Sequence, residues 1–130
     1  MHKYTVAFRI EGQMLVPSEV TEKLGLLPTH VREYPCSKDN VKHNLLWSYS
    51  GSTSQIEWDS LEGGLLHLLG ELDSKKNLID SNFKQFDKYW WCGHFQQSFD
   101  GGPTFSPELL RKLADFGVPL ILDNYFSNDD

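Results

Sequence analysis

The segment Tyr4 to Glu11 alternates without a break. Tyr4, Val6, Phe8 and Ile10 fall on one side, and Thr5, Ala7, Arg9 and Glu11 on the other. Successive strand side chains point to opposite faces, so this is a strand with one buried face and one face left to water or a partner. A parallel sheet covered by helices on both faces needs apolar residues on both sides of its strands. The segment therefore argues for two layers, with helices on one side only.

The rest of the chain supplies those layers. Pro17-Ser18-Glu19 opens a short helix with Val20, Leu24 and Leu27 inward, and Gly25 and Pro28 as stop signals. Thr29 to Asn44 is polar, is broken by Pro35, and reads as a long loop. Leu45 to Ser50 is a second strand, with Trp47 and Tyr49 on one face. Ser54-Gln55-Ile56-Glu57 matches a capping box, predicting a helix from there to about Asp73 with Leu61, Leu65, Leu68 and Leu72 inward and Gly63 and Gly64 weakening it locally. Leu78 to Phe86 suggests a further helical turn or two.

Lys88 to Gln97 is a strand dense in rings, with Tyr89, Trp91 and Phe95 on one face and Trp90, Cys92 and His94 on the other. Ser106-Pro107-Glu108 starts a last helix, ending at Gly117, and Val118 to Tyr125 is the final strand before an acidic tail. The openings at Pro17 and Pro107 echo one another, an echo that helix-start chemistry alone can produce. The expected architecture is an α+β two-layer sandwich over residues 1–130 as a single domain. It has about four strands, mostly antiparallel, and three or four helices on one face.

Twelve basic against eighteen acidic residues give a net charge of -6. The basic residues are scattered, whereas a nucleic-acid binder clusters them to neutralise phosphate. An acidic surface instead suits a basic partner, or simply solubility. No apolar run reaches membrane-spanning length and no signal-like apolar region opens the chain, so a cytoplasmic protein is expected. Two cysteines, Cys36 and Cys92, are too few for a disulfide framework.

Residue type and spacing bear on several chemistries. Cys92 and His94 lie two apart on one strand, but no helix start or glycine nest adjoins Cys92 to stabilise an oxyanion. His30, Cys36 and His43 share one loop and His67 sits in the leucine helix, yet paired Cys-x-x-Cys spacing is absent and no metal is expected. Asp100-Gly101-Gly102-Pro103 lacks the lysine of a phosphate cradle. Trp90, Trp91 and Phe95 could stack bases, but only Lys88 lies nearby and the two tryptophans face opposite ways. No cofactor and no nucleic-acid partner are expected.

Protein binding remains. Glu57, Asp59, Glu62, Glu71 and Asp73 follow one another with no Lys or Arg between them. They form either an acidic patch or, for the first three, ordinary compensation of a helix N-terminus. Trp90, if it stands away from the helices, is either tucked under a loop or available as an interface anchor.

The order of motifs carries a resemblance. Arg9-Ile10, Pro17 to Thr21 with Leu24-Gly25-Leu26 and Pro28-Thr29, Trp47-Ser48-Tyr49-Ser50, the leucine helix, Phe105-Ser106-Pro107-Glu108-Leu109-Leu110, and Leu122-Asp123 with Tyr125 form an ordered series. Over nearly the whole chain it resembles the bacterial domain-of-unknown-function family 4279. The resemblance implies an immunity protein of a bacterial toxin system, such as contact-dependent growth inhibition. It departs in the loop around Tyr34 to His43 and in the double tryptophan, so the partner's identity does not carry over.

The resulting expectation is a non-enzymatic protein, monomer or weak dimer, that occludes the active site of a cognate toxin C-terminal domain, a nuclease. The partner-binding residues would be Glu57, Asp59, Glu62, Trp90 and His94, with Tyr34 and Asp39 from the long loop. The competing expectations are a small-ligand or housekeeping binding domain and a hydrolase using Cys92 and His94.

Overall fold

The computed structural model describes residues 2–33, 36–38, 41–53 and 56–127, with the backbone alone for 36–38 and 41–43. In chain order the elements are β1 (His2–Gly12), α1 (Pro17–Leu24), β2 (His30–Arg32), β3 (Cys36–Lys38), β4 (Val41–His43), β5 (Leu45–Tyr49), α2 (Leu61–Leu72), α3 (Lys76–Asn82), β6 (Asp87–Gln96), α4 (Pro107–Phe116) and β7 (Leu120–Phe126). A 3-10 turn, Asp73–Lys75, joins α2 to α3. With α2, this turn and α3 taken as one run, the described residues hold three helical segments.

The main sheet has the order β2-β5-β1-β6-β7, and β3-β4 form a separate two-stranded ribbon. β1 runs antiparallel to β5 and β6, β2 antiparallel to β5, and β7 parallel to β6. The sheet is thus five-stranded and mixed, not four-stranded. The extra strand, β2, lies inside the segment read as a loop. At three residues, with polar His30 and Arg32 flanking Val31, it is too short to display an alternation. Its pairing comes from β5, where Val31 sits opposite Trp47.

One face of this sheet builds the core. Tyr4, Val6, Phe8 and Ile10 of β1 join Trp47 and Tyr49 of β5 and Trp90 and Cys92 of β6. From the helices come Val20 and Leu24, the α2 leucines, Ile79, and Leu109 with Phe116 in the same cluster. Leu61, Leu65, Leu68 and Leu72 are all buried, as their spacing predicts. Gly64 explains a local cost in that helix. A Cβ there would lie 3.0 Å from Val6 Cγ2 and 3.1 Å from the Trp58 ring, so glycine lets α2 rest on β1.

The start of α2 differs from expectation. Ser60, not Ser54, is its cap and accepts from the Gly63 N–H at 3.0 Å. Ser54 and Gln55 lie outside the described residues. Trp58 makes an antiparallel bridge to Tyr4, with N–H to carbonyl distances of 3.0 and 2.7 Å in the two directions. Because β1 takes up the backbone groups of Trp58, helix begins only after it.

Candidate docking face

The bridge between Tyr4 and Trp58 decides where the acidic residues stand. Tyr4 points into the core, so its cross-strand partner Trp58 does too, and the flanking Glu57 and Asp59 point to the opposite, helix-free face. Lys3 shares that face, and its ammonium donates to Asp59 Oδ1 at 2.6 Å. This contact raises the Lys3 pKa and holds the Asp59 carboxyl below the usual carboxylate range. Lys3 and Glu57 also flank an open groove of about 380 Å³ with Phe95 and Tyr125.

The middle of the helix-free face is organised around Trp91. Opposite Ala7 in register, its indole N–H donates to Asp123 Oδ2 at 2.7 Å, and the Arg9 guanidinium carbon lies 4.4 Å from its ring centroid. Arg9 Nε also donates to Ser48 Oγ at 3.4 Å. Beside it, burial and the Glu11 carboxylate push the Tyr89 hydroxyl up to about 12. Gly93 makes the arrangement possible: a Cβ there would come within 2.8 Å of the Trp91 Cη2 and 2.7 Å of Thr5 Oγ1. The indole therefore lies over the glycine. At the β7 end, Phe95 and Tyr125 stack with ring centroids 4.8 Å apart.

The expected partner residues divide. Glu57 and Asp59 come together on this face. Glu62 does not. It lies in the first turn of α2, where its Oε1 accepts from the Ser106 N–H at 2.6 Å and ties α2 to the start of α4. Tyr34 and Asp39 lie outside the described residues. Trp90 and His94 stand on the helix face, fully and almost fully buried, so neither side chain is a surface anchor. Trp90 packs against Phe8 and Phe116, at centroid distances of 5.1 and 5.0 Å. His94 stacks on Tyr4, hydrogen-bonds to the His2 ring at 2.8 Å, and donates to Asn124 Oδ1 at 2.9 Å. The ring available to a partner is the neighbouring Trp91. Strand parity already separated the two tryptophans, and the register with Phe8 decides which one goes inward.

The same burial bears on the chemistry of Cys92 and His94. Burial pushes the Cys92 thiol up to about 12, which leaves it protonated near neutrality, and both nitrogens of His94 are engaged. Among the described residues no group of three or more His, Cys, Asp or Glu could hold a metal ion. Likewise, no helix among them is long and apolar enough to cross a membrane.

Comparison of the sequence with known families matches residues 2–127 to a domain of unknown function. The chain belongs to the DUF4279 family. The match spans every strand and helix described above, so the sheet and its helix-free face lie within the DUF4279 domain. No curated protein and no solved structure matches this DUF4279 chain.

Proposed function

We propose that this DUF4279 protein is a non-enzymatic immunity protein that binds a cognate bacterial toxin domain, a nuclease, and blocks its active site. The family resemblance supplies the toxin class. The observation that supports docking is the helix-free sheet face, which joins a fixed tryptophan, Trp91, to the paired acidic positions Glu57 and Asp59. A rigid ring held by a hydrogen bond is a low-entropy anchor. Carboxylates at the end of the same face would enter a cationic, phosphate-binding cleft and speed association. The cytoplasm, where such a toxin acts, is the compartment this reading requires.

The test is co-expression with the C-terminal domain of a large secreted protein encoded immediately upstream. Rescue of growth and co-purification of the pair are expected. Replacing Trp91 by Ala should weaken the complex at least about tenfold, as for an interface anchor. Glu57→Lys with Asp59→Lys should weaken it in a salt-dependent manner. Glu62→Gln should leave affinity unchanged, because that carboxylate serves the helix layer. Rescue that survives both surface changes, or no rescue at all, would overturn the reading.

A further inference from the structure

The two edges of the main sheet are unlike. β2 is three residues long and carries His30 and Arg32, which suits an edge protected against pairing. β7 is seven residues long, Leu-Ile-Leu-Asp-Asn-Tyr-Phe, with no lysine, arginine or proline. Among the described residues nothing pairs with its outer side. Around it, Phe95, Phe99, Ile121, Tyr125 and Phe126 remain between 41% and 84% exposed, and Phe99 stacks on Phe126 at 4.4 Å. An apolar rim of this kind on a strand edge marks an interaction site.

The hydrogen-bond phase of β7 limits how that edge can pair. The Trp90 N–H donates to Pro119 O at 2.9 Å and the Ser127 N–H to Gln96 O at 3.0 Å, in a register that sets Trp90 opposite Leu120 and Gln96 opposite Phe126. In a parallel ladder this phase turns the odd-numbered residues of β7 toward β6. The N–H and C=O groups of Leu120, Leu122, Asn124 and Phe126 then point outward.

We infer that β7 pairs antiparallel with β7 of a second copy of this chain, about a two-fold axis at Asn124, joining two five-stranded sheets into one. That register sets Leu122 opposite Phe126 of the other copy and Asp123 opposite its Tyr125. No two like charges face across the seam. An axis at Asp123 would put two carboxylates directly opposite each other, which is unfavourable. Fully covered, the exposed parts of these five apolar side chains offer at most roughly 500 Å² per copy, taking about 200 Å² for a whole side chain. Two copies therefore reach about 1,000 Å², the lower bound for a specific interface. The seam's hydrogen bonds run along the β7 edge, but Phe95, Ile121 and Tyr125 stand on the helix-free face, so the rim borders the surface assigned to the toxin.

The experiment is sedimentation of the full-length protein over a wide concentration range, with amide exchange resolved by residue. A concentration-dependent dimer is expected. Its amides at Leu122, Asn124 and Phe126 should slow with rising concentration while those at Ile121, Asp123 and Tyr125 do not change. Phe126→Lys should raise the dissociation constant at least about tenfold by burying a charge against Leu122, while the monomer stays folded with a melting temperature lowered only by loss of the Phe99 stack. A monomer at every concentration would overturn the inference. So would a dimer whose even and odd amides behave alike, a dimer that Phe126→Lys leaves intact, or a monomeric chain that takes a toxin strand along this edge. None of these outcomes touches the toxin-binding test, which uses Trp91, Glu57 and Asp59.

Discussion

The Trp91 indole N–H reaches from β6 to the Asp123 carboxylate on β7 at 2.7 Å, so the ring that caps the helix-free face is fixed by its neighbouring strand. Asp123→Ala removes a charge-assisted hydrogen bond at a partly covered site. It should cost about 1–2 kcal/mol in urea unfolding. Asp123→Asn keeps an acceptor oxygen and should cost clearly less. The two variants should also differ in tryptophan fluorescence, since only the alanine frees the Trp91 ring.

Trp90 and Trp91 separate stability from binding. Trp90 sits between Phe8 and Phe116 with no exposed surface, and Trp90→Ala should lower stability by about 3–5 kcal/mol, as for other buried rings. Trp91→Ala should lower it less and act on partner affinity instead. Thermal melts of the two variants beside a binding titration read both effects.

The first strand made much of this fold legible. The Tyr4 to Glu11 alternation implied one uncovered face, and the core does lie on the Tyr4, Val6, Phe8 and Ile10 side. The leucine spacing in α2, and the proline starts and glycine ends of α1 and α4, are local patterns and were readable for that reason. β2 was not, because three residues carry no period. The parallel placement of β7 was not either, because strand order depends on long-range pairing that no local pattern records. At the site, the closeness of Glu57 and Asp59 was legible because they lie two residues apart. Sequence could not show that the Trp58 bridge, and not a helix, orients them, nor that Glu62 is turned to Ser106. Parity divided Trp90 from Trp91, and only the register with β1 chose between them.

The glycines of α2 make opposite predictions. Gly70 has open space where a Cβ would go, so Gly70→Ala should stabilise by about 0.5–1 kcal/mol through helix propensity alone. Gly64→Ala gains the same propensity but drives a methyl against Val6 and the Trp58 ring, and should be destabilising overall. Paired melting curves check the sign of each.

Cys92 is buried and its thiol is pushed up to about 12. It should therefore resist alkylation by iodoacetamide at mildly alkaline pH in the folded protein and react only once denaturant exposes it. Mass spectrometry resolved to the Cys92 peptide reads this directly. Rapid native labelling at Cys92 would revive a catalytic role for Cys92 and His94.

The pH dependence of stability should centre on one cluster under the helix layer. Glu71 accepts from the Tyr49 hydroxyl and from Ser52 Oγ at 2.8 Å, and Glu71 Oε1 lies 2.8 Å from His67 Nε2. Burial works to raise the Glu71 pKa, but the hydrogen bonds from Tyr49 and Ser52 and the charge on His67 outweigh it and hold the carboxyl below its ordinary value of 4.5. A carboxylate depressed in the folded state contributes stability that is present above pH 4.5 and is lost as pH falls through the folded value. Burial first, then Glu71, pushes the Tyr49 hydroxyl from 10.0 up to about 12. Its contribution is complete below pH 10.0 and is lost as pH rises toward about 12, because the unfolded chain ionises first. Glu71→Gln should flatten the acid limb of a stability–pH curve, and Tyr49→Phe the alkaline limb. Because the two groups share a hydrogen bond, the double variant should flatten both limbs while losing less stability than the two single changes added together. Urea midpoints measured from pH 3 to 12 on all four proteins would decide it, and full additivity would mean that the Tyr49–Glu71 contact does not couple the two limbs.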